Sequence, residues 1–126
     1  MDLISQRVTL PKELGVEVKE IREGFCRVEM PLEDKHMNLF GGVHGGSLFT
    51  LADTAAGTAS RTYGKSAVTL SATFNFLSAA PEGTKRLAAE ATVIKQGRTV
   101  IVMDTLVFAG EKLIAKGSFS FYVIEK

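Results

Sequence analysis

Apolar and polar residues alternate at period two from Leu14 to Leu32. Val16 and Val18 fall on one side, with Glu17 and Lys19 on the other. After a turn at Glu23-Gly24, Cys26, Val28 and Met30 oppose Arg27 and Glu29. This predicts two half-buried strands joined by a tight turn. Glu33 to Val43 is polar and contains glycine, and reads as a loop. The period then changes. From Gly45 to about Thr62 there is no proline, and Leu48, Leu51, Ala52, Ala55 and Ala59 recur at helical spacing. One long helix is predicted, slender because alanine, leucine and glycine dominate it. After Gly64 the pattern returns to strands. Val68, Leu70, Ala72, Phe74 and Phe76 read as one face of a long strand, opposite Thr69, Ser71, Thr73 and Asn75. Leu87 to Gln96, Thr99 to Ala109 and Leu113 to Ile124 follow, turned at Gly97-Arg98 and Gly110-Glu111.

Two strands, a helix and four strands joined by short turns imply a largely antiparallel sheet, since parallel neighbours need long crossovers. The helix must lay its apolar face on that sheet. The predicted architecture is α+β, a curved sheet of about six strands wrapped around one helix, in a single domain over residues 1–126. Composition agrees: 45% hydrophobic and 23% charged residues in 126 are ordinary for a globular domain. Fifteen basic against fourteen acidic residues leave a net charge of +1, which supplies no footprint for nucleic acid or an anionic membrane. Cys26 is the only cysteine, so an internal disulfide is excluded. Met1 to Leu10 lacks the apolar run of a leader, and no stretch is long enough for a membrane span. The chain reads as cytoplasmic.

Chemistry concentrates around the helix start. Gly45 and Gly46 leave backbone N–H groups bare where a first helical turn has unpaired donors, which suits an oxyanion or a polarised carbonyl. Asp53 lies two turns in. Its neighbours at helical spacing are Phe49, Thr50, Ala56 and Gly57, with no basic partner, and its flanks are apolar. A carboxylate placed there is partly desolvated and suits a general base. Asn38, on the loop feeding the helix, can hydrogen-bond a carbonyl or water, or simply form a turn. His36 reads as a solvated loop histidine and Cys26 as packing. No residue set has metal-ligand spacing, no glycine run matches a phosphate loop, and Ser47 lacks the frame of a hydrolase serine.

The run His44-Gly45-Gly46 with Leu51-Ala52-Asp53 and Ala55, with Asn38 upstream, resembles the phenylacetyl-CoA-type acyl-CoA thioesterases of the hotdog superfamily. The resemblance continues through Val68 to Gly83 and Lys95 to Arg98. It implies a hotdog dimer, usually paired into a tetramer, with active sites at the dimer interface. It further implies Asp53 as base or nucleophile on the thioester and the Gly45 N–H on its carbonyl, with Asn38 and His44 positioning substrate or water. Thr69 or Ser71 would stand near the attacking water; Gly46 belongs with the carbonyl site, and Lys95 and Arg98 are candidates for coenzyme A phosphates. No cofactor is implied beyond the coenzyme A of the substrate. A non-catalytic acyl-CoA sensor and a hotdog hydratase are the competing readings.

Overall fold

The computed structural model describes residues 7–124; the part of the leader reading that rests on residues 1–6 lies outside them. The elements are α1 (Leu10–Glu13), β1 (Glu17–Arg22), β2 (Phe25–Pro31), α2 (Gly45–Ser60), β3 (Ala67–Phe76), β4 (Arg86–Gln96), β5 (Val100–Ala109) and β6 (Lys112–Val123). Short 3-10 turns at Asp34–His36 and Arg61–Tyr63 lie before and after α2. The six strands form one sheet in the order β1-β2-β4-β5-β6-β3, and every neighbouring pair is antiparallel. This is the α+β hotdog architecture. Among the described residues no helix is long and apolar enough to cross a membrane.

The long helix forms as its periodicity predicts. Leu48, Leu51, Ala52, Ala55, Ala56 and Ala59 are buried, and the small alanines let the backbone lie close to the sheet. Thr50, Thr54 and Thr58 fold their hydroxyls onto the carbonyls one turn back, at 2.6–2.8 Å, and so carry no free donor. Gly64, at φ 80°, closes the 3-10 turn after the helix. On the sheet side, Phe119 is fully buried and meets Phe49 and Phe74 at ring separations of 5.4 and 6.0 Å.

Two local expectations are corrected. First, β2 alternates as predicted, with Cys26, Val28 and Met30 buried, but β1 is exposed throughout. It is a sheet edge that the helix barely reaches, and its pairing slips between Val18 and Glu20. Second, β3 does not keep one alternation. Thr69 pairs with Phe121 but Ser71 pairs with Ser120, so Leu70 is an extra residue. Phe121 and Phe119 face the helix, which puts Thr69, Ala72 and Phe74 on that side and Val68, Ser71 and Thr73 on the other. The bulge thus separates the two hydroxyls that simple alternation places together.

Candidate active site

The first half of the site is the loop and cap before α2. Asn38 ties its own loop: its Oδ1 accepts from the N–H groups of Phe40 (2.8 Å) and Gly42 (3.0 Å). Those two donors fix which amide atom is oxygen, and Asn38 lines the cavity beside Gly45. His44 is the N-cap, with Nδ1 accepting from the Gly46 N–H at 2.8 Å. The Gly46 donor is therefore already used. Gly45 differs: no protein acceptor among the described residues takes its N–H, and a Cβ there would come within 3.1 Å of the Phe76 ring. A side chain at position 45 would push that ring back by a few tenths of an ångström. Asn38, Gly45, Leu48 and Phe76 line a cavity of about 460 Å³.

His36 anchors this loop from below, contrary to the solvated position expected of it. It is fully buried. Its Nδ1 accepts from the Glu33 N–H (2.9 Å), so Nε2 carries the proton and donates to the Leu14 carbonyl (2.7 Å). Its own carbonyl accepts from the His44 N–H (2.8 Å) and the Ser47 hydroxyl (3.1 Å). Cys26 is buried as packing, and burial pushes its thiol pKa up, away from thiolate chemistry.

The second half is the Asp53 carboxylate. It is half-buried on the helix, and the Thr69 hydroxyl donates to its Oδ1 at 2.6 Å. The bulge at Leu70 is what turns Thr69 toward it. Ser71 stands on the opposite, outer face of the strand. Asp53, Thr69, Gly57, Arg61 and Phe121 line a separate cavity of about 340 Å³. Arg61 did not emerge from the motif. The available signal was that Asp53 and Arg61 are the charged residues from Gly45 to Arg61, two helical turns apart.

The remaining candidates are dispersed. Lys95 and Arg98 are exposed near the β4–β5 turn. That turn lies at the far end of the helix, where Gly24 pairs with both Val93 and Thr62. Within one chain the structure brings Asp53 and Thr69 together, and Asn38, His44, Gly45 and Gly46 together. It keeps the two groups apart, because Gly45 and Asp53 are separated by about 12 Å along the helix axis.

The chain is similar to proteins of a known family. The Thioesterase superfamily pattern matches residues 40–115, and the chain belongs to that superfamily. It is a hotdog-fold thioester hydrolase, with its likeness on the PaaI side of the superfamily. The acyl-coenzyme A thioesterase PaaI of Escherichia coli is 38% identical over 93 residues, covering 74% of this chain and 66% of that one. Its solved structure superposes with a TM-score of 0.86 at 31% identity, over 96% of this chain and 88% of that chain. A putative esterase of Archaeoglobus fulgidus is 33% identical over 90% of this chain and 73% of its own length. A hypothetical thioesterase from Streptococcus pneumoniae, solved with coenzyme A, has a TM-score of 0.80 at 30% identity, over 88% of this chain and 87% of that one. Structures of the same protein with alanine for an aspartate, and with alanine for a threonine 16 residues later, are equally similar.

Proposed function

We propose that this chain hydrolyses acyl-coenzyme A thioesters, with Asp53 as general base. The observation that carries the reading is the 2.6 Å hydrogen bond from Thr69 to Asp53 beside an open cavity. Thr69 holds one carboxylate oxygen and leaves Oδ2 to accept a proton from water. The water oxygen bonds the thioester carbon, the tetrahedral oxyanion collapses, the C–S bond breaks, and the leaving thiolate takes the proton that Asp53 removed from the water. The Gly45 N–H, reinforced by the positive end of the helix, stabilises the oxyanion, and the Asn38 amide nitrogen is a second donor. The S. pneumoniae thioesterase supports this assignment: it binds coenzyme A, and its substituted aspartate and threonine have the spacing of Asp53 and Thr69.

One carbonyl cannot touch Gly45 and Asp53 of the same chain across about 12 Å of helix. A second copy must complete the site, contributing one half while the first contributes the other. The exposed β3 edge, with Val68, Leu70 and Phe76 each about half exposed, offers apolar surface for such a partner. The protein is therefore a homo-oligomer in this reading. Sedimentation at micromolar concentration should give a dimer or tetramer; an active monomer would refute the shared site. The functional test is thiol release from a panel of acyl-CoAs, followed with a colorimetric reagent.

Arg98 and Lys95, distant from the reacting atoms, fit the phosphates of coenzyme A. Arg98→Ala should raise KM for acyl-CoA several-fold with little change in kcat, because a phosphate contact is the same in ground and transition states. A defect confined to kcat would remove Arg98 from the coenzyme site.

A further inference from the structure

The Asp53 cavity holds a cation that the hydrolytic reading leaves unused. Of the residues lining it, only Asp53 and Arg61 are charged. The Arg61 side chain runs back along the helix, as helical side chains lean toward the N-terminus. A Cβ built on Gly57 would meet its Nη1 at 3.1 Å, and on the other side the Phe121 ring at 3.2 Å. Glycine at position 57 thus makes the space in which the guanidinium lies, beside an aromatic wall. That places it one helical turn from Asp53, about 6 Å along the axis. Arg22, Arg27 and Arg86 each pair with glutamates; among the described residues no carboxylate pairs with Arg61, Asp53 included.

We propose that Arg61 receives an anionic oxygen pair at the far end of a short acyl chain, so that the preferred substrate is a monothioester of a dicarboxylic acid. The proposal rests on Asp53 being the hydrolytic base. With the thioester carbon beside Asp53, the group one helical turn away belongs to a substrate segment of only a few carbons. A guanidinium presents a planar fork matched to a carboxylate. A wholly apolar acyl chain would instead strip water from the guanidinium without replacing it. The phosphates of coenzyme A carry the same anionic chemistry. They are separated from the sulfur by the whole pantetheine arm, with its two amides, which exceeds the distance from Asp53 to Arg61.

The test compares succinyl and butyryl groups, each carried on coenzyme A and on N-acetylcysteamine, which has no phosphate. Wild type should favour succinyl by at least about tenfold in kcat/KM on both carriers. In Arg61→Gln that ratio should collapse by about tenfold on both carriers, and Arg61→Lys should recover part of it. Two results would overturn the assignment. One is a wild type that hydrolyses butyryl as well as succinyl. The other is an Arg61→Gln defect that is equal for both acyl groups on coenzyme A and absent on N-acetylcysteamine, which would make Arg61 a phosphate ligand. A wild type inactive toward every thioester would instead overturn the hydrolytic reading, and the acyl assignment with it.

Discussion

Asp53→Asn should lower kcat for the best acyl-CoA by about 10²- to 10⁴-fold, the usual worth of a general base. The amide keeps the shape of the carboxylate, and its oxygen can still accept from Thr69, but it cannot take a proton from water. The melting temperature should hold, because the variant removes a half-buried carboxylate that no cation among the described residues pairs. Rates and melts measured on the same preparations decide it: a near-normal rate with a normal melt would eliminate Asp53 as the base. One turnover in ¹⁸O-water separates water attack from direct attack by the carboxylate. Water attack puts the label in the first acid released. Direct attack, followed by hydrolysis of the anhydride at the Asp53 carbon, does not.

His36→Ala should be the costlier change for the fold. The imidazole is fully buried and bonds the Glu33 N–H and the Leu14 carbonyl. Alanine strands both backbone groups and opens a cavity, which together cost about 2–4 kcal/mol. For a domain of this size that lowers Tm by about 10 °C. Because the carbonyl of residue 36 also holds His44 and Ser47, the loop that presents Asn38 and Gly45 should loosen, and KM should rise. A melt within a degree or two of wild type would mean that the two backbone groups find other partners.

Much of this was legible in the chain. The helix from Gly45 followed from the spacing of Leu48, Leu51, Ala55 and Ala59, since a periodicity of that length has one local explanation. Asp53 was conspicuous as the lone charge among residues that bury. The burial of His36 was not legible: a polar loop with one histidine reads as wet. The donor and acceptor that satisfy it, at Glu33 and Leu14, include one from a distant segment. Arg61 was hidden for a similar reason, because its relation to Asp53 depends on the glycine between them and on Phe121 from another strand.

The sequence by itself determined the helix, the number of strands, the lone carboxylate and the thioesterase character of the helix motif. All of these depend on residues close together in the chain, where period and residue type act directly. The tertiary structure alone decided the strand order, which carries β3 past β4 and β5 to pair with β6. It also decided the extra residue at Leu70. A bulge is set by which residue of the partner strand each residue meets, and one slip of register reverses every face beyond it. That slip turns Thr69 to Asp53 and Ser71 away. The distance between Gly45 and Asp53 was implicit in their spacing, yet only the folded chain shows their cavities to be separate. The helix is rigid and the sheet covers one side of it, so in the proposed mechanism one chain presents both groups but cannot close them on one carbonyl.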